Sequence, residues 1–371
     1  MRRGLHPLPA HIAMAIASYG RTAVPGADFA ADLPDDLKGM LQGIRKYQEF
    51  PQGDFRAKLE EVWRAGSASL QTIPGHAGDL QHRPAIVLLP SLVNRSYILD
   101  LLPERSLLRY FATQGFAPLL LDWGDTQNDP GQRDLDSVLQ ERLLPALQHA
   151  AKISGGRIHV LGYCMAGTML AGAALAAQDL LRALIFLAAP WDFHAGGQGL
   201  LQQVQFWAPS AFPLMAEKSY LPVECIQTLF AALDPQMTAK KFARFAAMPE
   251  DGAEEKIFVA VEDWLNDGVA LPAALAQQCI GDWFLKNTPG NGTWAVGGEP
   301  VDLRRIKIPA LVVASSRDRL VEQQTSLPLQ QEIGGARLID PACGHIGMIA
   351  GGQAVETVWA PMVEWLKTGI G

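Results

Sequence analysis

Only four cysteines occur in 371 residues, at positions 164, 225, 279 and 343. They are widely scattered, so neither a disulfide framework nor a thiolate metal site is expected. Charge is sparse as well: 19% of residues are Asp, Glu, Lys or Arg, and the net charge is −7. That acidic balance removes any electrostatic case for nucleic acid or an anionic membrane surface as partner. No apolar run approaches the roughly 20 residues that span a bilayer, so no transmembrane segment is expected. The basic start Met1-Arg2-Arg3 is followed by a stretch broken by His6, Pro7, Pro9 and His11, a poor signal-peptide core. No repeat or low-complexity tract stands out. These absences fit a cytoplasmic, reduced protein in which a free thiol is usable. Apolar material is plentiful: 49% of residues are hydrophobic, enough for a large core.

Taken in order, the chain begins with helical signals. Leu37, Met40, Leu41 and Ile44 recur at helical spacing after Pro34-Asp35-Asp36 and predict a helix to about Tyr47. A second helix is expected from Phe55 to Leu70, with Leu59, Val62 and Trp63 on one face. Continuous apolar runs then alternate with helical patterns. Strands are predicted at 85–89, 116–121, 157–161 and 182–188, with helices at 106–111 and 134–153 between them. From about 195 to 300 strand-like runs give way to segments rich in Phe, Trp, Leu and Met. Strands resume at 309–314 and 336–339, and a last helix carries Val355, Val358, Trp359, Met362, Val363 and Leu366. This rhythm implies an α/β fold with a doubly wound, mostly parallel sheet. The expected division is an N-terminal helical extension (1–80), a core (81–194 and 301–371) and a helical cap insertion (195–300).

One stretch carries chemistry. Gly162-Tyr163-Cys164-Met165-Ala166-Gly167 joins an apolar strand to a helix and has the form of a nucleophile elbow, with Cys164 where serine is usual. The small residues answer a close approach of strand and helix at the turn. In such a fold, acid and base follow the nucleophile in that order. Asp318 lies just past strand 309–314, and His345 just past strand 336–339, at sheet carboxyl ends. A thiol is little ionised at neutral pH and needs a base. His345 would remove its proton, and Asp318 would fix the imidazole tautomer. Asp192 and Asp340 are rival acids. Cys343 is the rival thiol, without an elbow. The oxyanion hole would use the Met165 N–H and a second donor at Leu92 or Val93. A buried cysteine in a glycine-rich turn is the bland alternative, and the ordered acid and base weigh against it.

Several stretches now resemble the polyhydroxyalkanoate synthase family, within the α/β-hydrolase superfamily. The elbow is similar to the family's Gly-x-Cys-x-Gly-Gly, with Ala166 in place of one glycine. Asn94-Arg95-Ser96-Tyr97-Ile98-Leu99-Asp100-Leu101 resembles its Asn-Arg-x-Tyr-Ile-Leu-Asp-Leu. Leu121-Asp122-Trp123-Gly124, Asp318 and Gly344-His345-Ile346 are similar to further family motifs. Trp264-Leu265-Asn266-Asp267 and Val301-Asp302-Leu303 match more loosely. Arg319 stands where the family has histidine, and Arg317 adds charge beside the acid. The resemblance implies an α/β-hydrolase fold and an acyltransferase that takes 3-hydroxyacyl groups from CoA thioesters through an acyl-Cys164. CoA enters as part of the substrate; no tightly bound cofactor and no metal is implied. A homodimer, an accessory synthase subunit and a polymer granule are the implied candidate partners, with a cytoplasmic or granule location. The alternative is a cysteine-dependent hydrolase: a thioesterase, an esterase or an intracellular depolymerase acting on hydroxyalkanoate esters. A silent granule-binding relative is a third reading, which an intact triad opposes.

Overall fold

The computed structural model describes residues 2, 5, 7–19, 34–51, 58–197 and 199–369. The chain divides into two compact units: Met1–Phe55 with Pro222–Gly268, and Arg56–Leu221 with Val269–Gly371.

The larger unit is built on an eight-stranded sheet. Its strands are β1 (Glu60–Ala65), β2 (Ala68–Thr72), β3 (Ala85–Leu89), β4 (Ala117–Asp122), β5 (Ile158–Tyr163), β6 (Leu181–Leu187), β7 (Ala310–Val313) and β8 (Arg337–Ile339). Their order across the sheet is β1-β2-β4-β3-β5-β6-β7-β8. From β4 to β8 every pairing is parallel. The central strands are buried along nearly their whole length, which is why they read as unbroken apolar runs rather than alternating ones. The helices between them start and stop where capping residues stand. Asp134 and Ser137 exchange hydrogen bonds in a capping box that opens the helical run 135–154, and Gly155, at φ +69°, ends it. The α/β class and the parallel order expected from the sequence are both observed.

One expectation is corrected. The helix predicted over 55–70 is absent over the described residues: 60–65 and 68–72 form an antiparallel hairpin, and β2 pairs antiparallel with β4. Residues 55–57 of that prediction lie outside the described residues. Gly66 and Ser67 make the two-residue loop, with Gly66 at φ +58°. A bulge between Glu61 and Trp63 breaks the period-two pattern and leaves Leu59, Val62 and Trp63 at helix-like spacing. The segment before residue 80 is thus not wholly a helical extension.

The chain is also grouped differently from the expected three parts. Of the helical stretch 195–300, the helix Gly199–Lys218 and residues from Val269 onward remain with the sheet. Tyr220–Leu221 and Leu271–Pro272 form a two-residue antiparallel ribbon. The stretch between them, Pro222–Gly268, packs with the N-terminal helices as the smaller unit. There the helix Asp35–Glu49 lies directly on the helix Pro235–Ala246. A Cβ on Gly43 would fall 2.0 Å from Phe242 O, and one on Gly39 would fall 2.7 Å from Ala243 Cβ. Met40, Ile44, Tyr47, Phe242, Phe245 and Val259 form its core.

Candidate active site

Cys164 stands at the tip of β5, immediately before the helix Met165–Ala177, with φ +57° and ψ −131°. A non-glycine residue holds such a conformation only when its surroundings enforce it. Here Cys164 N–H donates to Leu187 O of the neighbouring strand at 2.9 Å, and Gly167 N–H donates to Cys164 O at 2.9 Å. The flanking glycines are sterically required. A Cβ on Gly162 would lie 2.7 Å from Gly167 Cα, and one on Gly167 would lie 2.2 Å from Ala189 Cβ. Ala166, the departure from the family pattern, is fully buried with its methyl accommodated.

Asp318 and His345 come together. His345 Nδ1 donates to Asp318 Oδ2 at 2.7 Å. The other Asp318 oxygen accepts from Leu320 N–H at 2.8 Å and Val321 N–H at 3.0 Å. The carboxylate is completely buried and the imidazole is one-tenth exposed. Burial alone would lower the imidazole pKa; the Cys164 sulfur and the Asp318 carboxylate outweigh it and push it up to about 10. With Nδ1 taken by Asp318, Nε2 is the nitrogen left for Cys164, whose sulfur helps hold the imidazole in its charged form.

The rivals are otherwise engaged. Asp192 Oδ1 accepts from His194 N–H and from Asn287 Nδ2. Asp340 Oδ1 accepts from the N–H groups of Ser316 and Ala342. Burial, then the Asp318 and Asp340 carboxylates, push the Cys343 thiol above its ordinary range. Burial likewise carries the Cys279 thiol up to about 12. All four cysteines are free.

The oxyanion-hole candidates sit on the expected elements. Met165 is the first residue of the elbow helix, where an N–H has no intrahelical partner. Leu92 is buried in the loop after β3. Val93 N–H reaches Ser91 Oγ only at 3.5 Å, and its carbonyl is held by Val269 N–H at 3.0 Å.

Two contributors escaped sequence reasoning. Ser315 Oγ donates to Cys343 O at 2.5 Å and accepts from the N–H groups of Cys343 and Arg317, tying the acid loop to the base loop. Tyr163 stacks on the His345 ring. Neither partnership has a sequence signal, because each joins residues far apart in the chain. Among the described residues, no group of three or more His, Cys, Asp or Glu side chains could hold a metal ion. No described helix is long and apolar enough to cross a membrane.

Residues 84–351 match the family described as alpha/beta hydrolase fold. The chain belongs to that family. This α/β-hydrolase is 28% identical over 298 residues to the poly(3-hydroxyalkanoate) polymerase subunit PhaC of Haloferax mediterranei, covering 77% of this chain and 59% of the relative. It is 27% identical over 292 residues to the subunit of the same name in Haloarcula marismortui, covering 76% and 60%. The chain therefore spans about three fifths of the length of these two relatives. A third, from Thiocystis violacea, is 25% identical over 313 residues, covering 83% and 87%. The resemblance read from the motifs is borne out by these relatives. Among solved structures, an alpha/beta fold family hydrolase from Bacillus anthracis superposes with TM-score 0.50 at 11% identity, covering 82% of this chain and 99% of that one. That likeness speaks for the fold alone.

Proposed function

We propose that this α/β-hydrolase is an acyltransferase of the polyhydroxyalkanoate-synthase type, moving 3-hydroxyacyl groups from CoA thioesters through an acyl-Cys164. The observation that carries the reading is the elbow thiol partnered by an imidazole that a buried carboxylate holds. The named polymerase relatives support the substrate class.

In this reading His345 Nε2 takes the thiol proton and becomes imidazolium, stabilised by Asp318. The Cys164 sulfur attacks the thioester carbon, and the carbonyl pair moves onto oxygen. Met165 N–H and an N–H from Leu92 or Val93 receive that oxyanion. The bond to the CoA sulfur breaks, and His345 returns the proton to it. One thioester replaces another, so the step is nearly balanced in energy, which suits a thiol better than a serine. The 3-hydroxyl of a second acyl unit then loses its proton to His345 and attacks the acyl-Cys164 carbonyl. An ester forms, and Cys164 regains a proton from His345. CoA is part of the substrate, and no resident cofactor takes part in either step. The relatives' description as subunits supports an accessory partner, and an apolar polyester product supports association with polymer granules.

Incubation with 3-hydroxybutyryl-CoA, following CoA release and product, tests the reading. CoA release with insoluble polymer is expected. Release with free 3-hydroxybutyrate would make the protein a thioesterase. Equal release by wild type and Cys164→Ala, over short and medium acyl chains, would refute both. Cys164→Ser is expected to lose most activity, because it turns thioester exchange into ester formation.

A further inference from the structure

Tyr163, the last residue of β5, lies against the His345 imidazole. The ring centroids are 5.1 Å apart and the planes 26° from parallel. The Tyr163 hydroxyl donates to the His345 carbonyl at 3.4 Å, so one side chain touches both the ring and the backbone of that histidine. Tyr163 is buried, and its phenol is lifted well above its ordinary range by burial, then by Cys164, Asp318 and Cys343. It therefore keeps its proton at any working pH and cannot serve as a base.

We infer that Tyr163 is a positioning residue: its ring fixes the rotation of the His345 imidazole so that Nε2 faces Cys164. The inference rests on the reading that this thiol and imidazole act together, not on which acyl group they transfer. The need for such a group follows from the geometry. Asp318 holds the ring through the single contact at Nδ1. A histidine ring has a broad, roughly two-fold torsion about its last bond, so one hydrogen bond leaves it free to pivot. A flat aromatic against its face removes that swing. The elbow makes this possible. Consecutive strand residues point to opposite faces of a sheet. The φ of +57° at Cys164 breaks the alternation, so residues 163 and 164 address the same imidazole.

The charged and titratable groups around the pair are Cys164 and Asp318 facing His345, with Cys343 beside Tyr163 and Asp340 beside Cys343. The test is alkylation of the full chain by iodoacetamide between pH 5.5 and 9, read on the Cys164 peptide by mass spectrometry. At pH 6, Tyr163→Leu is expected to react about five- to tenfold more slowly than wild type, the size of one aromatic pair's contribution. The gap narrows towards pH 9, where bulk hydroxide competes with the imidazole as base and the ring's orientation matters less to the rate. Tyr163→Phe, which keeps the ring, stays nearer wild type than Tyr163→Leu. A Tyr163→Leu rate equal to wild type at pH 6, or slowed by one factor at every pH, overturns the inference.

A second measurement needs no folded Tyr163→Leu. In wild-type protein carrying ring-labelled histidine, the signal that vanishes in His345→Gln is expected upfield of the exposed histidines, shifted by the stacked phenol. Coincidence with the exposed histidines overturns the inference. Because alkylation needs no acyl-CoA, the inference stands if these results hold while the acyl-CoA assay fails. In that case only the proposed function falls.

Discussion

Exchanging the two small residues at the start of the elbow helix separates shape from composition. A Cβ on Gly167 falls 2.2 Å from Ala189 Cβ and 3.1 Å from Gly162 O. Carbon atoms rest about 3.5–4.0 Å apart, so Gly167→Ala forces helix and neighbouring loop apart by more than about 1 Å. Overpacking of this kind costs about 1–3 kcal/mol in a tight core. Its effect on chemistry is larger than its effect on stability, because a displacement of about 1 Å at a reacting group can cost on the order of a hundredfold in rate. Ala166→Gly is the opposite case. It removes a buried methyl from a helix and costs about 1–2 kcal/mol through helix propensity and a lost methyl group. The contacts of Gly162 and Gly167 that set the turn stay as they are. Thermal denaturation and iodoacetamide alkylation of Cys164 read the two effects separately. Gly167→Ala is expected to lower both the melting temperature and the alkylation rate, the latter at least tenfold. Ala166→Gly lowers the melting temperature and leaves alkylation within about twofold. A Gly167→Ala protein with wild-type melting and alkylation would refute the steric account of the elbow. A gain of polymerisation by Ala166→Gly would make the alanine a determinant of product.

Three further outcomes follow from buried groups. Asp129 accepts from Arg142, Gln132, Ser67 and Gly131, locking the β1–β2 hairpin turn to the loop after β4; Asp129→Asn leaves the Arg142 guanidinium poorly paired and is expected to cost about 3–5 kcal/mol by denaturant melts. Burial alone would raise the Asp129 carboxyl, but Arg142 and the backbone donors outweigh it and hold it well below the usual range. Its contribution is thus present above the unfolded value of about 3.9 and is lost as pH falls towards the native one, a dependence the Asn variant should lack. Burial, then Arg182, lowers His159 to about 4, so the unfolded chain binds a proton between about 6.5 and 4 that the native state refuses. Stability should fall by up to about 3 kcal/mol across that window, and His159→Leu should flatten the slope; an unchanged slope would count against it. Ser315→Ala leaves the N–H and C=O of Cys343 without their partner and should cost about 1–3 kcal/mol, with slower Cys164 alkylation. Recovery by Ser315→Thr would tie that loss to the hydroxyl.

The sequence was most legible where burial is complete. β3 to β7 are enclosed, so composition alone marks them, and the elbow between β5 and its helix is dictated by local crowding that only small residues satisfy. Asp318 and His345 were findable because strands β7 and β8 end just before them. The β1–β2 hairpin was misread because its bulge at Glu61–Trp63 mimics a helical period. The Gly66-Ser67 turn was the signal that outweighed that spacing. Ser315 and Tyr163 were invisible for a different reason. Their partners lie 28 and 182 residues away, and one hydroxyl or ring contact leaves no periodicity behind.

The packing of Gly39 and Gly43 against Phe242 and Ala243 also sets a schedule. The helix Asp35–Glu49 leaves the ribosome with its apolar face exposed, and its partner helix begins only at Pro235. At about 5–20 residues per second, the intervening chain takes on the order of ten to forty seconds to make. During that interval Met40, Ile44 and Tyr47 have only the N-terminal part of their core, without Phe242, Phe245 and Val259. The core around these first helices is therefore closed only once Phe242, Phe245 and Val259 have been made, although its first residues are among the earliest in the chain.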